Sequence, residues 1–156
     1  IIPIDNKENN YSSLNDVFFS HIKALSLPMY TGEHSPEQSC ESYINELEKL
    51  ENHNNIPCFD LIVLGMGEDG HIASLFPNAA LLAEPNKLVA IDQEKRNGMS
   101  RMTLCFPVLL NALETVLLIS GSNKIKLIED KEARKNLPIE TLINQNQNLT
   151  VLCTKG

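Results

Sequence analysis

The chain has no apolar run long enough to cross a bilayer. Runs such as residues 61–64 and 116–119 fall far short of the ~20 residues a spanning helix needs. It has no surplus of basic residues either. Thirteen Lys and Arg stand against 20 Asp and Glu, a net charge of −7, which argues against generic nucleic-acid binding. That balance leaves room for a small anionic ligand, which needs only a few local donors. Of the four cysteines, Cys40, Cys58, Cys105 and Cys153, no two form a CxxC motif. A disulfide scaffold is excluded, and the last three, in apolar contexts, are expected to be buried free thiols. No HxH or HExxH pair occurs, and His21, His34 and His53 lack convergent partners, so no metal is expected. Ser74 lacks the GxSxG context of a serine-hydrolase elbow. Asn10-Tyr11-Ser12 and Asn148-Leu149-Thr150 match the glycosylation sequon. With no secretory signal they read as chance matches.

What is present is ordinary for a globular protein: 156 residues, 42% apolar and 21% charged. A chain of this length buries roughly 68–70% of the surface its unfolded form exposes. One domain over 1–156 is expected. Helical spacing of Leu14, Val17, Phe18, Ile22 and Leu25 predicts a helix near 12–25. Ser35-Pro36-Glu37 is a cap, a first-turn proline and an acid at the positive end of the dipole. The stripe Cys40, Tyr43, Ile44, Leu47, Leu50 carries that helix over 36–51. The apolar run 59–64 fits a strand buried on both faces. Further strands are predicted at 88–91, 102–106, 115–120 and 149–153. Segment 93–100 is polar and expected to be exposed. Helical segments are predicted at 107–112, 124–132 and 138–143. Strands alternating with helices predict an α/β fold, Rossmann-like, with a mainly parallel sheet and flanking helices.

In an open parallel sheet, ligands bind at the carboxyl ends of the strands. Gly65-Met66-Gly67-Glu68-Asp69-Gly70-His71 follows the strand 59–64. Gly65, Gly67 and Gly70 permit positive φ and close approach to a ligand. Asp69 and His71, two apart on a tight loop, can point into one cleft. His71 suits a general base, and Asp69 would orient it. A lone loop histidine is often merely structural; the glycines, the acid and the strand end favour function. Gly121-Ser122-Asn123-Lys124 opens a helix after the strand 115–120, and a helix start beside a lysine suits phosphate. By itself this signal is weak, and a glycine turn with a solvated lysine is the commoner reading. Arg101, after a polar loop, is by itself a surface arginine.

Residues 59–77, Phe-Asp-Leu-Ile-Val-Leu-Gly-Met-Gly-Glu-Asp-Gly-His-Ile-Ala-Ser-Leu-Phe-Pro, resemble the signature of the 6-phosphogluconolactonases. Their superfamily also holds the glucosamine-6-phosphate deaminases. Arg101-Met102-Thr103-Leu104 and Gly121-Ser122-Asn123-Lys124 resemble the downstream pattern of both branches, and Asn10-Tyr11 the family's Asn-Tyr. The resemblance covers roughly 1–130. The deaminases place a proton-transferring Glu where this chain has Phe76, which favours the lactonase. Ile72 stands where lactonases usually have Thr.

The resemblance implies a substrate like 6-phospho-D-glucono-1,5-lactone, hydrolysed without metal or organic cofactor. His71 would be the general base and Asp69 its support. Arg101 and Lys124 would hold the 6-phosphate, and Asn10 would contribute to the substrate site. Backbone N–H groups of the 65–70 loop would face the oxyanion. The alternatives are an aldose–ketose isomerase or deaminase on an amino-sugar phosphate, and a non-catalytic remnant that binds a sugar phosphate. The resemblance also implies an N-terminally truncated version of the family fold, its C-terminal two-thirds. The family's Gly-Gly-Ser-Thr-Pro-like loop and Asp-Glu-Arg segment would precede Ile1. Apolar surface left bare would then favour self-association at the truncated edge. No nucleic-acid or membrane partner is expected, and the location expected is cytoplasmic.

Overall fold

A computed structural model describes residues 1–96 and 98–155. Asn97, inside the segment expected to be exposed, lies outside the described residues. Helix α1 (Asn10–Val17) starts where Asn9 accepts a hydrogen bond from the Tyr11 N–H at 2.8 Å. It stops far short of residue 25. None of its residues is buried, and Val17, Phe18 and Leu25 stand exposed. A short helix with no packed face has little to sustain it, and a 3₁₀ turn at Phe19–His21 follows.

Helix α2 (Pro36–Leu47) carries a complete capping box between Ser35 and Gln38, with proline at its start. It ends at buried Leu47 rather than at 51; Leu50, the last member of the predicted stripe, is exposed. A small hairpin, β1 (Asn52–His53) and β2 (Ile56–Pro57), takes over. Asn54 and Asn55 turn it with φ of 57° and 63°, the left-handed region that asparagine tolerates.

Strands β3 (Leu61–Gly65), β6 (Glu114–Ser120) and β7 (Leu149–Thr154) form a parallel sheet in the order β3-β6-β7. The expected α/β architecture is present, but the sheet is covered on one face only. Ile62, Leu64, Leu117 and Ile119 point into the core with Ile139 and Leu142 of α5 (Pro138–Gln145). Buried Thr115 accepts a hydrogen bond from the Asn146 side-chain amide at 2.9 Å, which ties β6 to the end of α5. The opposite face carries Leu61, Val63, Leu118 and Leu152, all exposed. The apolar run therefore does not mark a strand buried on both sides.

The segments predicted as strands 88–91 and 102–106 lie outside this sheet. They are β4 (Val89–Arg96) and β5 (Met99–Leu104), paired antiparallel as a separate ribbon. The segment expected to be an exposed loop thus supplies much of the ribbon, and Asp92, just ahead of it, is buried. Arg101 lies inside β5, opposite Asp92, rather than at a strand start. Helix α3 (Phe106–Leu109) is one turn long. Helix α4 (Ser122–Glu129) ends before 132, because the Asp130 side chain accepts from the Glu132 and Ala133 N–H groups and redirects the chain. Cys153 is exposed near the end of edge strand β7, so the expectation of a buried thiol fails there. Cys105 is buried, and burial pushes its thiol up to about 11. Among the described residues no helix is long and apolar enough to cross a membrane.

Candidate active site

Strands β3 and β6 run parallel, with Gly65 opposite Leu118. The loop after β3 and the start of α4 after β6 therefore open at the same edge of the sheet. The first loop folds on itself. The Gly67 N–H donates to the His71 carbonyl at 3.0 Å, and the Gly70 N–H donates to the Gly67 carbonyl at 3.1 Å. The Asp69 Oδ1 accepts from the His71 N–H at 3.2 Å. The same oxygen lies 2.6 Å from His71 Nδ1. The predicted pair is therefore formed, with its side chains 30% and 51% exposed for His71 and Asp69. Desolvation alone would raise the Asp69 pKa, but hydrogen bonds and charge from His71 outweigh it and hold the carboxyl below its ordinary value. With Nδ1 committed to a carboxylate, Nε2 is the nitrogen left for chemistry.

Two distant elements clamp this loop. The Ile139 N–H, at the start of α5, donates to the Gly70 carbonyl at 3.1 Å. The buried Thr103 hydroxyl oxygen, on β5, accepts from the Ser74 N–H at 3.0 Å. Neither contact was legible in the sequence, because both join residues far apart along the chain.

The three glycines differ in their reasons. Gly70 has φ +78°, and a Cβ there would meet Leu137 Cδ1 at 2.8 Å. Gly67 is required by space alone: a Cβ would strike the His71 ring and lie 2.7 Å from Asp69 Oδ1. Gly65 has neither constraint, since a Cβ there meets nothing within 4 Å. Gly65→Ala should therefore leave the melting temperature within a few degrees. A rise in KM of this variant would then report a ligand approaching that backbone directly; an unchanged KM would remove Gly65 from the site.

The Phe76 ring lies 4.4 Å from the His71 ring, centre to centre, tilted by 38°. The Arg96 guanidinium lies 4.5 Å from the centre of the same Phe76 ring. Arg96 in turn faces Asp92 at 3.8 Å and pairs with Glu94. No sequence signal had marked Arg96.

Asn10 and Arg101 meet at a second place. They line a cavity of about 200 Å³ together with Tyr11, Tyr30, Ser74 and Met102. The Arg101 Nε is buried with no hydrogen-bond partner among the described residues, an orphan donor that an anion would satisfy. His71 and Lys124 do not line this cavity. Ser74, bonded to Thr103, connects it to the histidine loop. Lys124 sits in the first turn of α4 at the same sheet edge. Among the described residues no three His, Cys, Asp or Glu side chains gather to hold a metal.

Together the fold and the loop define an α/β protein with a histidine–carboxylate pair at the carboxyl edge of a parallel sheet. The family model for glucosamine-6-phosphate isomerases and 6-phosphogluconolactonase matches residues 1–152. The chain belongs to that family. It is 34% identical over 140 residues to the 6-phosphogluconolactonase of Homo sapiens, covering 85% of this chain and 54% of that protein. The chain thus spans about half the length of the curated relative it matches. The crystal structure of the Thermotoga maritima 6-phosphogluconolactonase superposes with a TM-score of 0.71 at 29% identity, over 99% of this chain and 68% of that one. A monomeric glucosamine-6-phosphate deaminase superposes with a TM-score of 0.74 at 20% identity, over 97% of this chain and 67% of that one. The fold alone therefore does not separate the two branches.

Proposed function

We propose that the chain carries the reaction site of a 6-phosphogluconolactonase, hydrolysing 6-phospho-D-glucono-1,5-lactone to 6-phospho-D-gluconate in the pentose phosphate pathway. The observation that carries this reading is the Asp69–His71 pair with Phe76 packed on the imidazole. A phenylalanine there supplies no second proton-transferring group of the kind the deaminase chemistry uses. Hydrolysis needs only one base that later acts as an acid. His71 Nε2 takes a proton from water as the water oxygen bonds to the lactone carbonyl carbon. The tetrahedral oxyanion then collapses and the bond from that carbon to the ring oxygen breaks. The imidazolium returns its proton to the ring oxygen, leaving the carboxylic acid, which ionises. Asp69 stabilises the imidazolium while it exists.

Arg101 and Asn10, in the cavity beside Ser74, are assigned to the phosphate, with Lys124 as a further charge; of the 65–70 backbone, the Gly67 and Gly70 N–H groups are bonded within the loop, which leaves the oxyanion to its other N–H groups. The cytoplasmic location expected from the sequence belongs with this reading. The lactone is generated in situ and its spontaneous hydrolysis subtracted. Arg101→Ala is expected to raise KM by about tenfold or more with a smaller change in kcat, since loss of a charge-assisted pair weakens binding. Equal KM values would remove Arg101 from the site. No turnover above the spontaneous rate by the unmodified chain would overturn the lactonase reading.

A further inference from the structure

Phe76 has a use beyond the proton transfer it cannot perform. Its ring centre lies 4.4 Å from the His71 ring, and the same ring carries the Arg96 guanidinium at 4.5 Å. Arg96 bonds Glu94 and faces the Asp92 carboxylate at 3.8 Å, a charge contact without a hydrogen bond. Asp92 is buried in β4, so the far end of this chain of contacts is fixed in the ribbon. An imidazole that is only part-buried turns about its χ2 bond unless something packs on it, and a terminal torsion of this kind has a broad minimum. The Asp69 hydrogen bond fixes one ring atom but leaves the ring plane free to rock about that contact. A tilted aromatic neighbour at this distance removes the freedom. A guanidinium on the aromatic ring holds that neighbour in turn.

We propose that Phe76, seated by Arg96, is a positioning residue for His71: it fixes the imidazole plane so that Nδ1 stays on Asp69 while Nε2 faces the reacting water. The reacting water rests on the lactonase reading above; the ring geometry stands without it.

The test uses Phe76→Leu, which keeps apolar bulk but removes the planar face, and Phe76→Tyr, which keeps the face. In the lactone assay, Phe76→Leu is expected to lower kcat about tenfold with KM within twofold, because misorientation acts on the chemical step. Phe76→Tyr is expected to restore kcat. The second readout is the nitrogen-15 and proton NMR of the imidazoles, four in all, with His71 assigned by its loss in His71→Ala. In the unmodified chain His71 should show one tautomer, protonated at Nδ1, and proton shifts displaced by the aromatic ring. Phe76→Leu should lose the displacement and show a mixture of tautomers, Phe76→Tyr should retain both features, and Arg96→Met should reproduce the leucine pattern in weaker form. Unchanged His71 signals in Phe76→Leu would overturn the proposal whatever the assay gives. A chain without lactonase activity that still shows the expected NMR pattern would overturn the functional reading and leave the positioning role standing.

Discussion

Replacing His71 by alanine is expected to cut the protein-dependent rate of lactone hydrolysis by about 100- to 10,000-fold, the range over which a positioned general base acts. The structural grounds are the 2.6 Å contact between His71 Nδ1 and Asp69 Oδ1 and the location of the pair beyond strand β3. The side chain is 30% exposed, so its removal opens no core cavity and the fold should survive. Loss of rate with an unchanged melting temperature is therefore the expected result. A variant that retains most of the rate would show that the lactone is attacked without this base. The pH dependence has a defined sign for Asp69. Its carboxyl titrates below the ordinary value of 3.8 in the folded chain. The stability it draws from His71 is then complete above that ordinary value and fades only as pH falls through the depressed one. A loss of rate nearer neutrality does not come from Asp69.

Gly67→Ala should be almost as damaging, by a different route. A Cβ at residue 67 falls on Cε1 and Nδ1 of His71, and no choice of rotamer moves a Cβ. The imidazole has to leave its place beside Asp69, or the loop has to open the Gly67–His71 and Gly70–Gly67 backbone bonds. A displacement of about 1 Å at a catalytic group costs about 100-fold in rate, and a fall in kcat of that order is expected. Gly65→Ala is the matched control, two residues away at the end of β3, where the added carbon meets nothing within 4 Å. Wild-type kcat in Gly67→Ala would mean that His71 works from a different position. A fall of the same size in both variants would point to the loop backbone rather than to the imidazole.

The contrast between these glycines marks what the sequence made legible. Strands, their alternation with helices and the Asp69–His71 pair follow from local pattern: an apolar run, a glycine-rich turn, an acid and a base two apart. Gly67 and Gly65 look alike in sequence, and only the fold shows which one faces a ring. The same holds for Arg101, which as a residue type says nothing but, once the chain is folded, lines a cavity with Asn10 and has its Nε buried with no partner among the described residues. Helix ends were legible where a cap is chemical, as at Ser35. They were not where length depends on packing, as in α1, whose apolar residues find no partner surface among the described residues. The outer parts of β4 and β5 were legible as strands at 88–91 and 102–106, but not their extension into one antiparallel ribbon, because its polar middle lacks the apolar alternation of a half-buried strand and a register shift between Asp92 and Arg96 breaks the period further.

One hydrogen bond acquires a second meaning. The Thr103 hydroxyl that holds the Ser74 N–H belongs to the strand that carries Arg101, and Ser74 belongs to the loop that carries His71. The tie sets the span between imidazole and guanidinium, and so works as a gauge. On the proposed lactonase reading, a ligand gripped at one end by the arginine would meet the histidine at a length that this one hydroxyl helps to fix, without the hydroxyl touching the sugar.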